Sequence, residues 1–485
     1  MKMSVEEEPA SPAARVLQAP NFSLCIIATM GFMTTIDVNV FRKGVEQTLI
    51  KHPRFSSLLV VNYKKRGKVS WKRTKVDVEN HVLAPDLDPD MENPEEFVED
   101  YTSSLSAIPM DMTKPLWEIH ILNVKTKEAN STMVYKIHHS LGDGVSMVSV
   151  IMACAKKTSD PESLPVIPPR KQKHVPKYGL MKRFFLCVWT MMLIIFNTST
   201  GIAYLAATLL FLKDSETPLK GGRGVRLSPK RFVHRIINLD DVKMVKNAMN
   251  VSINDVVLGM TEAGINRHLN TRYEKLRGKG SEIINKTNFL PRNLRLRSAV
   301  IFNLRQSASV EDLAEMMKKE ELNGMWGNLL GIVILPFTIA LQDDPLTYIH
   351  RAKATMDRKK LSLESKLGFI VMKLFLKLFG IKAATAATKA AFAHTTLAFS
   401  NVVGPQEEIS LFGHPLCYIS PSVQGFPQAL TIHYQSYANK LIVTLGADEK
   451  TIPNPHQLCD DFVKSFESIK EAVIKRGLIK DIQFC

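Results

Sequence analysis

The sequence predicts a mixed α/β protein, its sheets mixed in direction, built as two halves of similar size. Three observations carry that expectation. Apolar residues alternate with period two in some stretches and recur at helical spacing in others, along most of the chain. The composition changes abruptly once, near residue 160. The length of 485 residues, with 45% hydrophobic and 23% charged side chains, suffices for two or three cores that fold without staples. The same figures exclude disorder, collagen and coiled coil.

The elements follow in order. After prolines at 9, 12 and 20, residues 21–33 are apolar with short alternations and read as a strand. Val40, Val45, Leu49 and Ile50 at helical spacing predict an amphipathic helix over 40–52, ended by Pro53. Trp117, Ile119 and Ile121 alternate with Glu118, His120 and Leu122, and a polar turn over 125–131 leads to a returning strand over 133–137. That strand runs into His138-His139-Ser140-Leu141-Gly142-Asp143-Gly144, and residues 145–155 are helical. The motif therefore occupies a strand-to-helix turn, a place that commonly carries chemistry. Pro161, Pro165, Pro168, Pro169 and Pro176 mark a linker over 159–176. Beyond it, helices are expected over 254–268 and 456–476, and strands over 283–289, 298–304 and 441–447.

Sixty-three basic against 47 acidic side chains give a net charge of +16, which calls for an anionic partner: nucleic acid, anionic lipid or a phosphorylated cofactor. The six cysteines are scattered, with no CxxC pair and no metal-like grouping with histidine, and read as free thiols in a reducing compartment. No metal site is expected. Glu6, Glu7 and Glu8 stand where a secretion signal needs a basic and then an apolar run.

From Phe184 to Leu212, about 29 residues pass without a charge, against the roughly 18 that flag a membrane helix. Asn197-Thr198-Ser199-Thr200-Gly201 near the midpoint favours a re-entrant hairpin or a pair of half-helices over a straight span. Basic residues flank both ends: Arg170, Lys171, Lys173, Lys177, Lys182 and Arg183 before; Lys213, Lys220, Arg223, Arg226, Lys230 and Arg231 after. The positive-inside rule places both ends in the cytosol. Leu367–Phe379, apolar with Lys373 and Lys377, reads either as a membrane-surface helix or as a core helix with snorkelling lysines. Basic charge beside apolar segments favours an anionic membrane over nucleic acid.

His139, ending a strand, is the candidate general base, because an imidazole titrates near 6.5 and takes a proton from a hydroxyl at neutral pH. Asp143 is expected to fix the turn by pairing with a cation, with Arg54, Arg292 and Arg295 as partners that the sequence does not rank, and Gly144 to allow a tight backbone. His138 and Asp143 are also spaced as HxxxxD, the pair used by glycerol-phosphate acyltransferases, which would make His138 the base.

Residues 138–144 match the complete HHxxxDG signature of the coenzyme A-dependent acyltransferase superfamily, and Pro115-Leu116-Trp117 stands about 20 residues upstream, as PLW does in one branch. In the order that branch shows, Asn254-Asp255 resembles its ND motif, Asn401-Val402-Val403-Gly404-Pro405 its NVxGP motif, and 420–434 with 441–448 its closing segment. The chain thus resembles, over nearly its whole length, the wax ester synthase/diacylglycerol O-acyltransferase family, and its plant members in Trp326-Gly327-Asn328 and around His394 to Pro405.

The resemblance implies a two-lobed chloramphenicol-acetyltransferase-like fold with the active histidine at the lobe interface. It implies an N-terminal lobe over 1–158, a crossover over 159–235 carrying the apolar segment, and a C-terminal lobe over 236–485. His139 would deprotonate a long-chain alcohol that attacks acyl-CoA directly, giving a wax ester, with diacylglycerol as a second acceptor. No acyl-enzyme is needed, in keeping with the absence of a GxSxG elbow. Ser400 or Asn401 is the candidate oxyanion donor, with a turn-forming role as the alternative. Asn254-Asp255 is read as a helix cap or a substrate-positioning pair. Pro115, Leu116 and Trp117 shape the hairpin or the tunnel wall. Acyl-CoA is expected as a substrate, with no tightly bound cofactor; the partners are the alcohol or diacylglycerol and membrane lipids, not nucleic acid. The endoplasmic reticulum membrane is the expected location, the site facing the cytosol, with the plasma membrane as a second one. The competing reading is a non-catalytic lipid-binding protein on the same fold.

Overall fold

The computed structural model describes residues 7–19, 22–62, 68–165, 179–222, 224–277, 288–304, 328 and 330–479. Its first part runs β1 (Glu7–Pro9), α1 (Pro12–Leu17), β2 (Cys25–Phe32), α2 (Val38–Gln47), β3 (Ser57–Asn62), β4 (Lys68–Arg73) and β5 (Val82–Leu83). It continues through α3 (Pro94–Ala107), β6 (Trp117–Leu122), β7 (Ser131–His138), α4 (Gly144–Cys154) and β8 (Ala155–Lys157) to α5 (Leu180–Leu210). The second part begins with β9 (Arg231–Asn238), α6 (Leu239–Ala248), α7 (Ile253–Arg277), β10 (Arg295–Asn303), β11 (Leu330–Thr338), α8 (Leu346–Lys360) and α9 (Glu364–Ala393). It ends with β12 (Leu397–Val402), β13 (Ile409–Leu411), β14 (His414–Gln424), β15 (Leu430–Tyr437), β16 (Lys440–Ala447) and α10 (Pro455–Lys475).

A seven-stranded sheet, in the order β5-β6-β7-β2-β14-β13-β8, serves the first lobe, and a six-stranded sheet, β11-β10-β12-β15-β16-β9, the second. Each has its own core, one around Phe22, Phe32, Trp117 and Leu141, the other around Val257, Leu269, Leu430 and Phe462. Both sheets mix parallel and antiparallel pairs. Strand β7 is buried along its whole length, which its sequence STMVYKIH allows because Lys136 finds partners. Its ammonium donates to the Ile108 carbonyl at 2.7 Å and lies 3.9 Å from Glu118, directly across the hairpin. The lobes do not divide at one point in the chain: β14 pairs antiparallel with β2, so residues 414–424 complete the first lobe's sheet.

Most expected elements are present, with instructive differences. The helix over 40–52 ends early, at Gln47, followed by a 3-10 turn over Leu49–Lys51. Of the strand expected over 283–289, residues 283–287 lie outside the described residues and 288–289 carry no strand; linker residues 166–178 also lie outside. The apolar segment is not broken at its midpoint: α5 is one continuous helix of 31 residues. The polar residues that suggested a break dock the helix instead. Asn197 Nδ2 donates to the Leu361 carbonyl at 3.1 Å, and Thr198 Oγ1 accepts the Leu363 N–H at 2.9 Å. Thr200 bonds back to the Phe196 carbonyl. Gly201 admits the Glu364 carboxylate so closely that a Cβ would fall 1.6 Å from Oε2.

A buried polar knot fixes the C-terminal end of α5. Arg297, wholly buried on β10, pairs with the equally buried Asp214 and donates to Thr208 Oγ1 and to the carbonyls of Leu212 and His394. Asp214 also accepts from the N–H and hydroxyl of Thr396, so both charges are hydrogen-bonded as a buried pair requires. The basic flank after α5 is partly consumed inside the fold. Lys230 is buried and donates to the Gln428 carbonyl, Arg231 pairs with Glu99, Asp100 and Glu449, and Lys220 pairs with Glu216. These side chains, counted in the sequence as a membrane-facing cluster, are neutralised by carboxylates or held by a carbonyl. Helix α9 turns at Gly380, whose φ of 77° lies in the left-handed region open to glycine. Its first part leaves Ile370, Val371, Leu374, Leu378 and Phe379 each more than half exposed, so the stretch over 367–379 is a surface helix.

Candidate active site

The HHxxxDG turn is built by local rules. At the end of β7 the His139 N–H donates to the Leu24 carbonyl at 2.8 Å, and the Leu141 N–H closes a tight turn on the His138 carbonyl. Asp143 is the N-cap of α4: its Oδ1 accepts from the Ser146 N–H at 3.0 Å and the Ser146 hydroxyl at 3.1 Å. The expected arginine partners are engaged elsewhere or exposed. Arg54 pairs with Glu8, Arg295 donates to the Lys213 carbonyl, and Arg292 lies at the surface. The glycine roles also differ from expectation. Gly142 is the crowded one, where a Cβ would meet Met147 Cε at 2.7 Å, whereas at Gly144 the nearest atom is Val402 Cγ2 at 3.4 Å. At Gly144 a Cβ would thus sit in ordinary contact with Val402, with no close backbone approach.

The two histidines have opposite environments. His138 Nε2 lies 3.1 Å from Ser23 Oγ, and its Nδ1 accepts the Ser140 N–H and lies 2.7 Å from Ser140 Oγ. Both ring nitrogens are therefore occupied, and burial followed by the neighbouring His139 pushes its pKa down to about 3. The HxxxxD reading, which needs a free His138, loses its base. Among the described residues, the His139 ring is bound on one side only. Asn328 Nδ2 donates to the His139 carbonyl at 2.8 Å, which turns Asn328 Oδ1 toward His139 Nδ1 at 3.2 Å. A carbonyl only accepts, so the amide orientation is fixed, Nδ1 carries the proton, and Nε2 keeps its lone pair. Burial lowers the His139 pKa, opposed by the charge of Asp143 and the bond to Asn328, so the ring is neutral at neutral pH.

His139 borders two cavities. One, of about 120 Å³, is lined by Asp143, Gly144, Ser400, Asn401, His433 and Gln435 among others. The other, of about 280 Å³, lies toward α5 and α9. Ser400 and Asn401 thus line the same cavity as His139. Asn401 Nδ2 donates to Asn254 Oδ1 at 2.6 Å, tying two motifs 147 residues apart. Ser252 caps α7, and Asp255, not Asn254, completes the capping box: it accepts the Ser252 N–H while Ser252 Oγ accepts the Asp255 N–H. Gly404 has the Ser436 carbonyl 2.2 Å from where a Cβ would sit, so only glycine fits between β12 and β15. Pro115, Leu116 and Trp117 line neither cavity. They brace the hairpin: Trp117 Nε1 donates to the Phe55 carbonyl at 2.8 Å, its ring stacks on His81, and the Leu116 carbonyl accepts the His138 N–H.

Two site residues were not singled out by sequence reasoning. Asn328 lies in a segment noted only for family resemblance, 189 residues from the histidine it holds. His433 faces Ser400 across β12 and β15, is buried, and is pushed to a pKa of about 3 by burial; among the described residues its Nδ1 has no hydrogen-bond partner. Only the alternation of β15, which puts His433 and Gln435 on one face, signalled it.

Comparison with known proteins gives the same picture. The family model described as the wax ester synthase/diacylglycerol acyltransferase catalytic domain matches residues 22–257, and that for the WS/DGAT C-terminal domain matches residues 326–470. Wax ester synthase/diacylglycerol acyltransferase 11 of Arabidopsis thaliana is 49% identical over 480 residues, covering 98% of this chain and 97% of the relative. Wax ester synthase/diacylglycerol acyltransferase 5 of the same plant is 44% identical, covering 97% and 95%. Among solved structures, the wax ester synthase/diacylglycerol acyltransferase from Marinobacter aquaeolei VT8 superposes with a TM-score of 0.60 at 16% identity, covering 96% of this chain and 99% of that one. The first condensation domain of the calcium-dependent antibiotic synthetase superposes at 0.56 and 12% identity, covering 97% of each chain, and shares the two-lobed fold. With its HHxxxDG turn intact and matched over nearly its full length, the chain belongs to the wax ester synthase/diacylglycerol acyltransferase family.

Proposed function

We propose that this protein transfers a fatty acyl group from acyl-CoA to the hydroxyl of a long-chain alcohol, giving a wax ester, with diacylglycerol as a second acceptor. The observation that carries the reading is His139: neutral, held through Nδ1 by Asn328, with its free Nε2 at the meeting of two cavities. Nε2 takes the alcohol proton as the oxygen attacks the thioester carbonyl. The tetrahedral oxyanion collapses, the C–S bond breaks, and the thiolate leaves with the proton returned by the imidazolium, yielding ester and CoA thiol. Ser400 and the second N–H of Asn401 Nδ2 are the donors proposed for the oxyanion. Asp143 acts by holding the turn. Acyl-CoA is a substrate in this scheme and no bound cofactor takes part.

Helix α5 is long and apolar enough to cross a membrane. From Asn197 onward it is docked on the protein, leaving residues 180–196 to project. Those 17 residues rise about 25 Å, short of the roughly 30 Å hydrocarbon core. A helix inserted from one face, at the cytosolic surface of the endoplasmic reticulum membrane, fits better than a crossing and leaves both lobes on the same side.

Membranes carrying the protein, incubated with labelled acyl-CoA and a panel of alcohols and diacylglycerol, test the reading. Labelled ester from wild type and none from His139→Ala is the expected result; no ester from either leaves a lipid-binding protein on this fold.

A further inference from the structure

The larger cavity is lined by apolar side chains of α1, α5 and α9, and its polar contributors are His139 and Thr388. The Thr388 hydroxyl is already bonded back to the Ala384 carbonyl, which leaves His139 as the polar group open to a ligand. Such a wall suits a hydrocarbon chain with one hydroxyl at its head and offers nothing to the amides and phosphates of coenzyme A. The smaller cavity, with Ser400, Asn401 and Gln435, offers what this one lacks.

Its mouth lies between α5 and α9. Ala206 and Val371 line the cavity and are themselves exposed, so the opening is at the surface between the two helices. The surface around it is apolar, with Ile370, Leu374 and Leu378 exposed on α9 and Trp189, Ile195 and Phe196 on the projecting part of α5. Lys366, Lys373, Lys377 and Lys382 stand exposed along α9, and among the described residues none pairs with a carboxylate. Unpaired cations beside an apolar face complement anionic headgroups over hydrocarbon.

Gly368 supplies an independent observation. It lies inside α9, where glycine is a poor helix former, and nothing in the packing requires it: the nearest atom to an added Cβ would be Leu205 Cδ2 at an ordinary 3.8 Å. What the missing side chain does is leave the gap between α5 and α9 open into the cavity.

We infer that this cavity is the site of the acceptor's alkyl chain and that it fills sideways from the bilayer, through the gap between α5 and α9 at Gly368, Ala206 and Val371. The inference rests on the acyl-transfer reading above. At about 280 Å³ the cavity is slightly below the roughly 300–1,000 Å³ that encloses whole small ligands. A long alcohol with its hydroxyl at His139 therefore leaves its tail in the mouth, in lipid.

The test uses the full chain in phosphatidylcholine/phosphatidylserine vesicles, palmitoyl-CoA and lauroyl-CoA as donors, and hexadecanol, which resides in the bilayer, or hexanol, which also reaches the enzyme from water. Gly368→Leu and Val371→Trp should lower the ratio of hexadecanol to hexanol esterification at least tenfold, with the acyl-CoA preference unchanged. Gly368→Leu also favours the helix, so its thermal midpoint should not fall. An unchanged alcohol ratio in both variants, or an effect that follows the length of the acyl-CoA chain instead, overturns the portal. If wild type makes no ester from either alcohol, the acyl-transfer reading itself fails.

Discussion

His138 and His139 are neighbours in sequence, both buried and both held neutral, yet the fold gives them opposite tasks. His138 is closed on two sides by Ser23 and Ser140, while His139 is tied, among the described residues, through Nδ1 alone and faces two cavities. Burial and a depressed pKa do not by themselves mark a catalytic base; a lone pair at the meeting of both cavities, on a ring whose other nitrogen is held, does.

The comparison breaks most directly at His139. His139→Ala should lower kcat by about 10²- to 10⁴-fold, the contribution of a positioned base, with unfolding by denaturant little changed. Asn328→Ala leaves the base but frees its ring, and a loss of about 10- to 100-fold in kcat/KM is expected from misorientation. Because the Asn328 bond raises the His139 pKa, its removal should also shift the acid limb of the pH–rate profile to lower pH, which a purely structural loss would not do. His138→Ala should behave in the opposite sense. It strands Ser23 and Ser140 and costs about 1–3 kcal/mol of stability in equilibrium unfolding, while kcat per folded molecule stays within about tenfold.

The smallest effect concerns pH. His138 titrates near 3 when folded and near 6.5 when unfolded, so between those values the unfolded chain binds the extra proton. Its contribution to stability is whole above pH 6.5 and falls as the pH drops toward 3, by up to about 1.4 kcal/mol per unit. His52 and His433, also lowered to about 3, add the same sign. Denaturation curves at pH 5 and 7 should therefore converge somewhat in His138→Gln; an unchanged difference would mean that His138 is not the buried neutral group described.

What the sequence made legible was what is contiguous. The strand, turn and helix carrying His139 lie within 25 residues, and period and motif agreed there. The docked state of α5 was misread because Asn197 to Gly201 resembles a break when the Leu361–Glu364 segment that meets it is unknown. Asn328 and the membership of β14 in the first sheet depend on pairings across well over one hundred residues, which no local pattern encodes. The charges of Lys230 and Arg231 were countable, but their carboxylate and carbonyl partners were not.

That β14 belongs to the first sheet has a consequence for how the chain matures. Strand β7 ends at His138, just before His139, and the strand that lies on the far side of β2 begins at His414, about 276 residues later. At roughly 5–20 residues per second, the ribosome delivers it some 14–55 s after the catalytic turn. Within that interval α5 is itself made and leaves the ribosome, well before residue 414, while the edge of β2 waits unpaired. With α5 inserted as proposed above, the enzyme is tethered before it is competent, and a chain stopped short of residue 414 is expected to carry the complete HHxxxDG motif without an assembled site.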